Sequence, residues 1–178
     1  MKIETSLAPA LNELAWASAM VELNTWRGRW LQSFAGIESA VTDTLLLLRD
    51  VPTRGEEVKL RHLCGQRIED LLTLVSDGGA FAKEGPQVVK AIHAFRTHEV
   101  LRNMLAHGHA KVALERGGEW LAVLRMTAIR GQEPHKVEMV VEQAHSQTLL
   151  RDLHRTGQSL SAHLRNLCAA VGDQSIAT

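Results

Sequence analysis

Apolar residues recur in steps of three and four along most of the chain, the spacing that keeps side chains on one face of a helix. Leu11, Leu14, Ala15 and Val21 follow Pro9, which stands where a first helical turn accepts proline after Ser6, and they predict a helix to about Asn24. Trp30, Phe34, Ile37, Val41, Leu45 and Leu48 form a clearer seam for a second helix, which Asp50, Pro52 and Gly55 end. Val58, Cys64, Ile68, Leu71 and Val75 outline a third, broken by Ser76-Asp77-Gly78-Gly79. Pro86 opens a fourth, carried by Val88, Ile92, Phe95, Val100 and Leu105 to a glycine stop at Gly108.

Beyond Gly108 the period drops to two. Ala110, Val112 and Leu114 alternate with Lys111, Ala113 and Glu115, Gly117-Gly118 turns the chain, and Trp120, Ala122, Leu124 and Met126 continue the alternation. After a turn over Gly131–Pro134, Val137, Met139 and Val141 read as a third short strand. Ser146 then caps a last helix along Leu149, Leu153, Leu160, Leu164, Leu167 and Val171, with a fraying tail from Gly172. The pattern predicts a mainly α fold: an antiparallel helical bundle of about five helices with a small β-hairpin or three-stranded insert, at about residues 109–142, before the last helix. A chain of 178 residues suits a single domain over 1–178.

Charge narrows the field. Twenty Lys and Arg balance twenty Asp and Glu, so no global positive field draws in a polyanion, and contact with nucleic acid has to be local or assembled by oligomerisation. The two cysteines, Cys64 and Cys168, lie far apart in helical stretches, which points to a reducing compartment. Apolar runs such as Leu45–Leu48 are too short to span a membrane, and Met1-Lys2-Ile3-Glu4 begins neither a signal peptide nor an anchor. A cytoplasmic protein without membrane attachment, cofactor or metal is expected.

The chemistry gathers at Arg102-Asn103-Met104-Leu105-Ala106-His107-Gly108. Arginine brings a permanent charge and five donors in a fixed fork, and histidine exchanges a proton near neutral pH. Glu99, Asn103 and His107 fall in one line of the fourth helix, with Arg102 beside it, and His109 follows two residues on. Macrodipole-favoured cations at a helix end, and a solvated Glu99, explain the same residues without function. Spacing alone decides nothing: Arg130 and His135 also stand five apart, on a turn with no helix to aim them. His93 and His98 lack the partners of a metal site and read as surface histidines, and His62 with Cys64 matches no ligand spacing. Trp16, Trp26, Trp30 and Trp120 suit core or interface anchoring better than base stacking, and tyrosine is absent.

With its asparagine, its helix end, its glycine and the hairpin that follows, the segment resembles the motif of the HEPN family of nucleotide-binding helical domains: arginine, a polar residue, then histidine near the end of a bundle helix. The likeness extends loosely over about residues 30–170. It implies a metal-independent endoribonuclease, of the kind found among toxins and phage-defence proteins, in which a homodimer forms one composite cleft and RNA is the substrate. In that setting His107 is general acid or base, Arg102 stabilises the transition-state charge, and Asn103 holds either of them or a phosphate oxygen. The resemblance also implies an acidic residue on an earlier helix, for which Glu38, beside the Ile37 seam, is the candidate; Glu99 and His109 complete the substrate-binding set. The other reading is a non-catalytic HEPN-like module that partners a nucleotidyltransferase or an antitoxin.

Overall fold

A computed structural model describes residues 7–175. Its helices are α1 (Leu7–Arg49), α2 (Cys64–Val75), α3 (Pro86–Arg96), α4 (Glu99–His107) and α5 (Gln143–Ser175). Strands β1 (His109–Leu114), β2 (Trp120–Arg130) and β3 (Glu133–Glu142) precede α5, and one 3₁₀ turn covers Arg54–Glu57. The fold is mainly helical with a three-stranded antiparallel sheet in the order β1-β2-β3. Among the described residues no helix is long and apolar enough to cross a membrane.

The two helices expected before Pro52 are one 43-residue helix. Its buried positions explain why: Ala19, Leu23 and Trp26 recur eleven residues on as Trp30, Phe34 and Ile37, and again as Val41, Leu45 and Leu48, all of them buried but the half-buried Ile37. An eleven-residue period matches 3.6 residues per turn closely enough to keep one stripe of the helix buried. Asn24, Thr25 and Gly28 are poor helix formers but lie on exposed positions, so packing of Trp26 and Trp30 carries the helix through them. The seam expected at Leu14 and Val21 is on the other side, with these residues 68% and 67% exposed. Ser6 lies outside the described residues.

The expected fourth helix is broken in two. Thr97 Oγ1 donates to the Ala94 carbonyl at 2.8 Å and His98 N to the Phe95 carbonyl at 3.1 Å, which closes α3 two residues before α4 begins. The break rotates the register: Leu101, Met104 and Leu105 are buried, while Val100, expected on the seam, is 49% exposed. The third helix starts at Cys64, leaving Val58 in the preceding loop, and the last starts at Gln143. Ser146 is therefore inside the first turn of α5, buried, with its hydroxyl donating back to the Gln143 carbonyl at 2.7 Å. Helix α5 also runs past Gly172 to Ser175.

Two compact units form, each from separate stretches of chain: the first takes α1 up to Leu31 together with Val100–Arg151, the second Gln32–Glu99 together with the chain from Asp152. In the first, Trp26 Nε1 donates to the Ser146 carbonyl at 2.8 Å, the Trp26 and Trp120 rings lie 6.1 Å apart, and Gln143 bridges the Trp120 amide to Glu22. Ala122, Leu124 and Val141 turn the inner sheet face into this core. A two-residue turn, Gly131 (φ 55°) and Gln132 (φ 69°), joins β2 to β3; positive φ at both suits the twist of a hairpin, so Pro134 falls inside β3 and not in the turn as expected.

In the second unit, Phe34 meets Phe95 with ring centroids 4.5 Å apart, and α5 supplies Leu153, Gly157, Leu160, Leu164, Leu167 and Val171 in alternating steps of four and three. Arg54 holds the loop before α3 by donating to the Ala80 carbonyl and to Glu84, both at 2.8 Å, with its guanidinium 4.3 Å above Phe81. Arg61 holds the segment before α2 through two bonds to the buried Asp70, at 2.7 and 2.6 Å.

Candidate functional site

Arg102, Asn103 and His107 all lie on α4 within the first unit. Leu101, Met104 and Leu105 pin the helix to the core, so the polar residues between them are turned outward: Arg102 is half-buried, Asn103 and His107 are exposed. Arg102 Nη1 donates to Asn103 Oδ1 at 3.3 Å, which orients the amide towards the guanidinium. His107 is the last helical residue, on the turn whose carbonyls have no intrahelical partner.

Gly108 ends the helix for a reason other than the left-handed backbone expected of a stop. Its amide donates to the Met104 carbonyl at 2.9 Å, and a Cβ there would fall against that same oxygen and 3.2 Å from the Arg125 carbonyl on β2. Only glycine lets the chain turn from α4 into β1 this close to β2. His109 then opens β1 on the outer sheet face, in register with Arg125 and, beyond it, Glu138, which are themselves paired at 2.6 Å.

The remaining candidates belong to the second unit. Glu99 is the first residue of α4 and accepts from Arg96 Nε at 3.2 Å; Arg96 also reaches Glu69 at 2.8 Å. Glu38 is half-buried beside the Cys64 thiol. Burial first, then the Glu38 charge, raise the Cys64 thiol above its ordinary value, which keeps it protonated and unreactive.

His98 is not the surface histidine its spacing suggested. Half-buried at the α3–α4 break, it hydrogen-bonds Thr156 through Nε2 at 3.0 Å and stands edge-on to Phe95, 6.4 Å away. Because Thr156 already donates to the Asp152 and Leu153 carbonyls, the ring N–H is the donor to its hydroxyl. Burial pushes this imidazole below its ordinary value and the Asp152 charge acts the other way. His135 sits on β3 opposite Ala128, at an exposed position.

Among the described residues no group of three or more His, Cys, Asp or Glu is placed to hold a metal ion. Comparison with known proteins gives no matching family model, no matching curated sequence and no matching solved structure.

Proposed function

We propose that the chain is a HEPN-like endoribonuclease, of toxin or phage-defence type, that cleaves RNA by acid–base chemistry in a cleft shared by two copies. What supports this most is one open helix end on which a permanent cation, an amide turned to it and a titratable ring stand within six residues. In this reading His107 takes the proton of a ribose 2′-OH or delivers one to the leaving 5′-oxygen, with the second copy's ring available for the other transfer. The 2′-oxygen attacks its own phosphorus, the P–O5′ bond breaks, and a 2′,3′-cyclic phosphate and a 5′-hydroxyl result. Arg102 faces the charge that grows on the phosphoryl oxygens, and Asn103 keeps the guanidinium aimed. His109, in the same unit as the motif, is a substrate contact beside it. The reading carries with it an antiparallel bundle of the helices and a cytoplasmic location.

The test is cleavage of single-stranded RNA in excess EDTA, with the ends analysed. The expected products carry 2′,3′-cyclic phosphate and 5′-hydroxyl groups, and DNA survives because it lacks the nucleophile. One observation favours a second reading: the net charge of +0 gives a nuclease no help in attracting its polyanion, whereas a scaffold for a nucleotidyltransferase or an antitoxin needs none. Purified protein that leaves RNA intact at all concentrations selects the scaffold.

A further inference from the structure

On the second unit, a groove of about 470 Å³ runs between α1 and α5, with Ile37, Leu153 and Gly157 in its floor. Its polar lining is Ser33, His154, Gln158, Ser161 and Arg165. Four of these come from α5 at steps of four, three and four, which stacks His154, Gln158, Ser161 and Arg165 in one stripe about 16 Å long. The stripe flanks the buried seam, and at Gly157 a Cβ would come 3.0 Å from Ile37, so the missing side chain lets Ile37 close the floor.

The lining has one chemical character. Every polar member is able to donate a hydrogen bond and none is a carboxylate. Arg165, the one permanent charge, is exposed and has no ion-pair partner among the described residues. Ser33 Oγ and His154 Nε2 lie 2.8 Å apart and fix each other across the groove. A charge without a carboxylate beside it, among neutral groups able to donate, suits an anion, and an open groove of this length suits an extended one better than a compact metabolite.

We infer that this groove binds the phosphodiester backbone of an RNA strand, as a contact separate from Arg102 and His107. Arg165 pairs with a phosphate, while His154, Gln158 and Ser161 donate to neighbouring phosphate and ribose oxygens. The inference rests on the nuclease reading for the identity of the polyanion. It also answers the missing global field, because local contacts supply the attraction that net charge does not.

The experiment uses the full chain carrying His107→Ala, so that RNA survives, and follows a fluorescent single-stranded RNA by anisotropy over a range of NaCl concentrations. Adding Arg165→Glu should weaken binding at least tenfold and lower the slope of log K against log salt by about 0.7, the share of one phosphate on a single strand. Arg165→Gln should lower the slope by the same amount with a smaller loss of affinity, and neither change should move the unfolding temperature, because the residue is exposed. Equal affinity and slope for parent and Arg165→Glu overturn the groove and leave the nuclease reading standing if unsubstituted protein cleaves. A slope that depends on Arg165, in a protein that never cleaves, keeps the groove and removes the nuclease. Absence of any RNA binding overturns both.

Discussion

His107 is exposed on the last turn of α4 while its neighbours Met104 and Leu105 carry the packing, so its chemistry and its stability contribution come apart. His107→Ala removes an exposed side chain that packs on nothing in the core, and thermal unfolding should shift little, since such surface changes usually stay within about 0.5 kcal/mol. Loss of a general acid–base group costs about 10²–10⁴ in rate, so RNA cleavage should nearly vanish in the same variant. Arg102→Ala should also lose rate, with Arg102→Lys failing to restore it, because an ammonium cannot reproduce the fork that Asn103 orients. His135→Ala serves as the control and should cleave like the parent. A large fall in unfolding temperature for His107→Ala would show a packed histidine and would remove the catalytic assignment.

At the level of elements, two junctions around α4 have different sensitivities. Gly108→Ala places a methyl group against the Met104 carbonyl and crowds Arg125 on β2, so the α4–β1 turn has to shift. Overpacking of this kind costs about 1–3 kcal/mol, which chemical denaturation should register as a lower midpoint with an unchanged slope. At the other end of α4, burial keeps His98 neutral below its ordinary pKa of 6.5. A group depressed in the folded state binds fewer protons there than when unfolded, so its contribution is complete above pH 6.5 and is lost as pH falls towards the folded value. Stability should therefore drop on mild acidification, and His98→Gln should flatten that part of the profile; an identical profile in the variant would place the titrating group elsewhere.

Elements with a strong period were legible in the sequence, and their junctions were less so. The 109–142 sheet, α2 and α5 follow from alternation and from steps of three and four, but the union of α1 across Gly28 depends on Trp26 and Trp30 being buried, and no local signal states that. The Thr97–His98 break has neither glycine nor proline; it comes from a threonine hydroxyl bonded to its own helix and a histidine bonded to Thr156, 58 residues away. The Arg102 motif could be read because it is contiguous. The Ser33–His154 pair spans 121 positions, and only folding brings it together.

At the scale of the whole molecule, the open position of the motif bears on assembly. Val100, Asn103 and His107 are exposed at steps of three and four, so one outward face of α4 joins an apolar side chain to the polar pair. An isologous interface places the same patch of each copy across a two-fold axis, and Val100 gives that patch an apolar anchor at the composite cleft proposed above. Sedimentation velocity at micromolar concentration should show a dimer. Val100→Glu sets two carboxylates against each other near the axis, an arrangement that costs several kcal/mol in a desolvated interface, and should yield a folded monomer because the residue takes no part in its own core. If two copies are needed to supply the two proton transfers, that monomer should be as inactive as His107→Ala, and mixing it with excess parent should restore no more than the parent's own rate. A parent that sediments as a monomer and still cleaves RNA would mean that one copy of Arg102, Asn103 and His107 is a complete site.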